Sequence, residues 1–442
     1  MPSLTLEKLR EFTRQGAAAR CRVALQPAGG EGTKVFPPTY AGAVYATEKR
    51  RLPGHQEPVD CVLLDSVQSQ ANRMEEALQQ AIDSERFKKA GVSLPVVEVD
   101  FTGFWDPEGK NKKLSPETRL LEPVGSISSL QAPHRIVDAI LRDSVVAEDN
   151  KPFRAKAEKD ESSYGQRLRR VSAQNATTLF DLCPTALLFG MWDSTGPKGG
   201  LGAKFERAMV SEVIGINAVA GVRSSSRIDP LSIQLEAGPV YQANEGQQTA
   251  WTLDPSIAKK EKGAPVKVGK EGKPSEINHG NIKPDLKDKK GQPFHGGITV
   301  ASAEQTVVFS FPAIRRLRFP IDGKFDPKVD DAARTVLAAL GLCAAALAAE
   351  AGLDLRSRCL LWPTAPLSWE LLGKPGVKEE GIVVEADESI QLLKAAIAFA
   401  TSKEIGLPWR AEPLRLIPSE GLVQLVVKSQ RLALAEAGQG DE

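Results

Sequence analysis

The chain reads as an α+β fold, and three observations predict it. Short apolar runs of strand length recur between segments whose apolar residues follow helical spacing. The apolar fraction of 41% and charged fraction of 26% are those of a protein able to bury a sizeable core. No internal repeat is present, so any repetition would come from copies of the whole chain. At 442 residues the chain exceeds one average domain, and one elaborated core or two domains would both use that length. The net charge of +1 means that affinity for a polyanion has to come from clustered cations rather than a uniformly basic surface.

In order along the chain, Leu4 to Gln15 predicts a helix and Cys21 to Leu25 a strand, followed by a strand from Val59 to Leu64. Val67 to Ile82 predicts a helix with its apolar stripe at Val67, Ala71, Met74, Leu78 and Ile82. Val96, Val97, Val99 and Phe101 suggest another strand, and His134 to Arg142 a short helix. Thr185 to Met191 reads as a buried strand before a glycine-dense loop, with Phe205, Met209, Val213 and Ile214 on a helix face beyond it. Ile216 to Val222 is strand-like.

The pattern then breaks. Gln242 to Gly296 is rich in Lys, Gly and Pro with almost no apolar periodicity, as in a long insertion or extended hairpin. This divides the chain into a first core part, 1–241, the insertion, 242–296, and a second core part, 297–442. The last part has strands at Gly297–Ala301, Thr306–Phe311 and Ile314–Phe319, then the Ala-rich run Val336 to Ala349. That run is shorter than the roughly 20 residues that cross a bilayer, so it predicts a buried helix and no membrane span. A helix over Ser389–Glu404 and strands at Leu414–Ile417 and Leu422–Val427 close the chain. The N-terminus lacks the apolar centre of a signal peptide, and Cys21, Cys61, Cys183, Cys343 and Cys359 are scattered and odd in number. Both features lead to the expectation of a reducing cytoplasm with no disulfide framework or Cys-x-x-Cys metal site.

Five constellations carry chemistry. The loop Trp192–Lys204 holds glycines 196, 199, 200 and 202 with Thr195, Lys198 and Lys204, which suits phosphate held by backbone N–H groups. A P-loop would need Lys and then Ser or Thr directly after the last glycine, whereas Gly202 is followed by Ala203, Lys204 and Phe205. A nucleotide-binding enzyme rests on this loop alone, and a purely structural turn is the plain alternative. The helix start Asp65–Arg73 places Ser66 or Asp65 as N-cap and Gln68, Ser69, Asn72 and Arg73 away from the apolar stripe. Uncharged donors that cost helix propensity point to a hydrogen-bonded ligand, against a merely solvated face. Lys34-Val-Phe-Pro-Pro-Thr-Tyr40 offers a cation and rings, although aromatic residues beside prolines more often anchor a loop than stack on a base. His134 and Arg135 stand at a helix start, fit for a phosphate or sugar contact or for simple capping. Arg223-Ser-Ser-Ser-Arg227 suits a phosphate track or an exposed turn. No triad, carboxylate pair or metal-ligand spacing accompanies them, which favours binding over chemistry.

The phrases Leu64-Asp-Ser-Val-Gln-Ser-Gln-Ala-Asn-Arg-Met-Glu75, Ala132-Pro-His-Arg135, Thr185-Ala-Leu-Leu-Phe-Gly-Met-Trp-Asp-Ser-Thr-Gly196 with Gly199-Gly-Leu-Gly-Ala-Lys204, and Ile277-Asn-His-Gly280 resemble the backbone subunit of type I-G (formerly I-U) CRISPR effector complexes, of the RAMP superfamily. The resemblance covers most of the chain. It implies a ferredoxin-like, RRM-related palm with long insertions, in which 242–296 is a candidate thumb or finger. It implies a non-catalytic crRNA-binding protein, without cofactor or metal, that polymerises along the guide in a Cascade-type complex. Its implied partners are copies of itself, crRNA, target DNA, a guide-processing and capping subunit, a large subunit and a recruited helicase-nuclease. A RAMP endoribonuclease using His134 is the alternative. On this reading the RNA-binding residues are Lys34, Tyr40, Ser66, Gln68, Ser69, Asn72, Arg73, His134, Arg135, Trp192, Ser194, Thr195, Lys198, Gly199, Gly200, Lys204, Arg207, Arg223, Arg227 and His279.

Overall fold

The computed structural model describes residues 4–42, 44–194, 203–286 and 295–440. Thr195, Lys198, Gly199 and Gly200 lie outside the described residues. The principal elements are, in order, α1 (Leu6–Gln15), β1 (Ala18–Pro27), β2 (Thr47–Arg50), β3 (Val59–Asp65), α2 (Val67–Asp83), β4 (Val97–Asp100), α3 (Thr185–Phe189), β5 (Met209–Ile216), β6 (Val219–Val222) and β7 (Ser225–Arg227). They continue with β8 (Ile282–Asp285), β9 (His295–Thr299), β10 (Ser302–Ser310), α4 (Pro327–Ala351), β11 (Leu360–Pro363), β12 (Ser368–Leu372), α5 (Ala386–Ala400), β13 (Leu414–Pro418) and α6 (Glu420–Gly440).

The result is a mixed α/β structure built on a curled antiparallel sheet. Across it the order is β11, β1, β10, β5, β3, β2, with β12 pairing the first half of β1 while β11 pairs its end. Each central strand alternates buried and partly exposed residues: Cys21, Val23 and Leu25 of β1 and Ala303, Val307 and Phe309 of β10 face inward. Helices α1, α2 and α5 pack against α4, which lies under the sheet. Helix α4 is long and apolar enough to cross a membrane, with mean hydropathy 1.8, but 83% of its apolar window is buried inside the fold. A second sheet joins β4 and β13 with Ser126–Ser128 and Ser144–Val146 at its edges.

The β5–β10 hairpin does not close in a turn. Its ladder ends at Ile216 opposite Ser302, and β6 with β9 and then β7 with β8 carry the same two chain directions outward as an arm. The head of the arm, within 229–281, consists of short pairs, Tyr241–Gln242 with Trp251–Thr252 and Lys260–Glu261 with Ala264–Pro265. Gly296 permits the close approach at the root, since a Cβ there would lie 2.1 Å from the carbonyl carbon of Val222.

Four segments differ from their sequence reading. Thr185–Phe189 is a helix, not a strand: all five residues are buried, so no alternation was needed to distinguish the two, and Gly190 at φ +84° ends it. Residues 209–214 form strand β5 rather than a helix, because Met209, Ser211 and Val213 alternate inward between two partner strands. The glycine-dense loop therefore does not open onto a helix N-terminus. Phe311–Arg315 is a short helix with Pro312 in its first turn and Ser310 as cap, accepting from Ala313 N, where a strand over 314–319 was expected. Leu422–Val427 belongs to α6, whose first turn is held by Ser419 Oγ accepting from Leu422 N, and Val423 and Val427 make its buried face.

Candidate nucleic-acid interface

The start of α2 is organised by its own sequence. Ser66 caps it, its hydroxyl accepting from Ser69 N at 3.2 Å. Asp65, 1% exposed, accepts from Gln70 Nε2 at 2.7 Å and Arg73 Nε at 2.9 Å. Gln70 in turn accepts from Ser211 Oγ and Gln305 Nε2, so one buried polar network ties α2 to the two central strands β5 and β10. Arg73 also donates to the carbonyls of Asp354 (3.2 Å) and Leu355 (2.5 Å). Its guanidinium is therefore occupied in fixing the turn before β11, while Gln68 and Asn72 are exposed and Ser69 is half-buried beside them.

That turn brings in residues the sequence reading passed over. Arg356 faces Asp65 at 3.6 Å, and Arg358, exposed and at φ +62°, stacks 4.0 Å over the ring of Phe36. The signal was available: Arg356-Ser-Arg358 repeats the serine-spaced arginines of Arg223–Arg227. Phe36 N donates to Arg358 O, Val35 bridges Ile298, and Lys34 Nζ donates to Val222 O at 3.1 Å. The hairpin carrying Tyr40, which is exposed, reaches the same place through Tyr45 Oη, which accepts from Gly297 N. Together α2's first turn, Lys34, the 354–358 turn and exposed Arg223 form a polar, cationic belt at the root of the arm.

A second group meets farther along α2. Arg135, 7% exposed and at φ +54°, forms a two-pronged ion pair with Glu75, both contacts 2.7 Å, and donates to Gly190 O at 3.1 Å. Burial pushes the Glu75 carboxyl up, against the opposing pull of Arg135. Three of the sequence phrases thus converge on one buried node, and Arg135 is a tether of the fold with no guanidinium face left for a ligand. Glu75 lies nine residues beyond Ser66, about 14 Å along the helix. The node fixes where the chain leaves α3: Trp192, 58% exposed, pairs with Lys204, and Ser194, Lys204 and Arg207 are exposed around it. His134 is exposed, and its backbone N–H is bound by Asp138.

The remaining two residues sit out on the arm. Arg227 clamps the carbonyls of His279 and Gly280 at 2.5 to 3.0 Å, and Gly280 N donates to Asp229. The backbone N–H groups of Gly280 and Leu231 hold the Asp229 carboxyl below the usual carboxylate range. The phrase Ile277–Gly280 is accordingly an internal joint of the arm, and the His279 ring packs against Trp251. Among the described residues there is no group of three or more His, Cys, Asp and Glu able to hold a metal.

The face of the main sheet away from the helices has a different character. Arg20 pairs with Glu370 and Arg22 with Glu304 at 2.7 Å across neighbouring strands, and Arg50 with Glu212 at 2.8 Å across the intervening β3. These pairs cancel charge where an RRM presents stacking rings.

Residues 19–220 match the family described as CRISPR-associated protein GSU0053. Over that span, a little under half of the chain, the protein is similar to a CRISPR-associated family. The matched span contains the Asp65–Gln70–Ser211 contacts and the whole Glu75–Arg135–Gly190 node. No curated protein matches the chain.

Proposed function

We propose that this chain is a crRNA-binding backbone subunit of a type I CRISPR surveillance complex, polymerising along the guide and offering it to target DNA without catalysing a reaction. The observation that carries this reading is the arm rising from the central hairpin with the polar, cationic belt at its root. Numbering the core strands β1, β5, β10 and β11/β12 as first to fourth, the order across the sheet is 4-1-3-2, with α2 in the first crossover and α4 in the second. This order supports the reading of the core as a ferredoxin-like palm of split βαβ units, with the arm as its thumb between second and third strands.

A backbone subunit has to accept any spacer sequence. Serine, glutamine, asparagine, lysine and arginine donors grip phosphate and ribose, which leaves base edges free for pairing. Lys34, Ser66, Gln68, Ser69, Asn72, Arg223, Arg356 and Arg358 are assigned this task, with Trp192, Ser194 and Lys204 as a second station. The partners in such a complex are further copies of the chain, a guide-processing and capping subunit, a large subunit and a recruited helicase-nuclease, all in the cytoplasm. The endoribonuclease reading loses support because Arg135, the cation beside His134, is buried on Glu75.

The test is expression with a CRISPR array. RNA is expected to copurify with the unsubstituted chain and to be lost from Arg356→Glu/Arg358→Glu; a variant that keeps its RNA sinks the belt assignment. On denaturing gels, array transcript should survive incubation with the purified chain. Specific cleavage abolished by His134→Ala would reverse the reading to an enzyme.

A further inference from the structure

A cleft of about 490 Å³ opens beside the second station, at Asp193. Four cations from three separate segments line it: Arg142 at the end of the short helix Ala139–Arg142, Arg154 and Lys156 in the following loop, and Arg169 in the helix Ser163–Arg169. Like charges do not gather without a cause, and here the cause is visible. Glu161, fully buried, accepts from Arg169 Nη2 at 2.8 Å and from Ala155 N at 2.8 Å, and lies 3.5 Å from Arg154 Nε. Arg154 is held from its other end by Asp193 at 3.0 Å. Arg154 and Arg169 are each only 11% exposed, so their positions are set by the fold.

Glu161, Asp193, the lining Asp143 and Asp138, which also acts on Arg142, face the four cations, and of the four Lys156 at the mouth has no ion-pair partner among the described residues. One phosphodiester carries one negative charge. Arg142 spends its fork on the adjacent Asp143, at 2.8 and 2.9 Å, in a pair that is 39% and 46% exposed. Exposed pairs of this kind contribute little and give way readily to a stronger acceptor. Lys156 is exposed at the mouth.

We propose that this cleft is a phosphate subsite that takes one phosphodiester of the nucleic acid beyond the arm-root belt, with Lys156 and Arg142 as its contacting cations and Arg154 and Arg169 as its fixed positive floor. The proposal rests on the RNA-binding reading above and adds a contact that reading does not assign.

The experiment measures binding of a short, mixed-sequence single-stranded RNA to the full chain over a series of KCl concentrations. Wild type, Lys156→Glu, Arg142→Glu, the belt variant Arg358→Glu, and Lys159→Glu are compared; Lys159 is exposed three residues from Lys156 and is not among the residues lining the cleft. Removing one diester contact should lower the slope of log K against log salt by about 0.7 for a single strand. Lys156→Glu and Arg142→Glu are expected to show this loss while still binding RNA, Lys156→Arg to retain the wild-type slope, and Lys159→Glu to leave it unchanged. An unchanged slope in both cleft variants overturns the subsite, as does an equal loss in Lys159→Glu, which would mark a general field effect. If the slope is unaffected but the cleft variants fail to assemble into filaments, the occupant is an acidic side chain of a neighbouring protein and the phosphate assignment is wrong. Absence of RNA binding by the unsubstituted chain overturns the functional reading itself, and the subsite with it.

Discussion

Replacing Arg135 by alanine tests the node on which the sequence phrases converge. The substitution leaves the buried Glu75 carboxylate without its two 2.7 Å partners and the carbonyl of Gly190 without its donor. Stripping one partner from a buried ion pair costs roughly 3–5 kcal/mol. At about 4 kcal/mol the folding constant falls nearly a thousandfold, which urea unfolding followed by tryptophan fluorescence would register as a lower midpoint. The double variant Glu75→Leu/Arg135→Met removes both charges and should recover most of the loss, because an apolar pair of similar volume is often neutral relative to the ions it replaces. The sign of the pH dependence follows from the carboxyl. Burial raises Glu75, and without Arg135 it rises further, so folded Glu75 holds its proton to higher pH than the unfolded chain does. The deficit is then smallest below the unfolded carboxylate value of about 4.3 and grows as pH rises through the folded value. A loss under about 1 kcal/mol at neutral pH, or a double variant as unstable as the single, would refute the pairing as the role of Arg135.

Three further outcomes are expected. All five cysteines are buried, which pushes Cys21 and Cys343 up to about 12 and Cys359 to about 11, so Ellman's reagent at mildly alkaline pH should find essentially no thiol until denaturant is added and then find all five; rapid reaction of the native chain would contradict this. Gly296→Ala forces a methyl against the backbone of Val222 and should cost roughly 1–3 kcal/mol of local packing, seen as faster proteolysis between residues 217 and 301. An unaltered digestion pattern would mean that the arm root tolerates a wider spacing. For the belt, Arg358→Ala should weaken RNA binding less than Arg358→Glu, since alanine removes a cation while glutamate also adds repulsion; equal effects would point instead to the lost stacking on Phe36.

The sequence was most legible where burial is one-sided. The short apolar runs Cys21–Leu25 and Val59–Leu64 and the stripe from Val67 to Ile82 predicted elements that the structure contains with small boundary shifts. It failed where a segment is buried on every side, as at Thr185–Phe189, or where helical and strand spacing coincide on a few residues, as at Met209, Val213 and Ile214. Arginines were the other difficulty. Composition marks Arg73, Arg135 and Arg227 as phosphate ligands equally well, yet each is closed onto carbonyls or a carboxylate contributed by chain 50 or more residues away. The serine, glutamine and asparagine donors of α2 divided in a way periodicity does describe: Gln70 turns inward with the apolar stripe, and Gln68 and Asn72 turn outward.

Belt, arm and second station all derive their positions from the same two strands. β5 and β10 carry the arm at their Ile216 and Ser302 ends. Between their ends they hold Ser211 and Gln305 in the network that anchors the start of α2, and before β5 begins Ala208 N donates to Leu188 O, joining it to the helix that leads to Trp192. A slip of one residue in this ladder would turn Ser211 and Gln305 to the outer face, orphan the Gln70 and Asp65 pair in the core, and displace the arm relative to the belt. The register is therefore fixed by polar satisfaction as well as by Val307 and Phe309, and the surface assigned to the guide inherits that fixity. The ion pairs on the opposite face act in the same sense, because Arg20–Glu370 and Arg22–Glu304 each bridge neighbouring strands of this sheet only in the observed register.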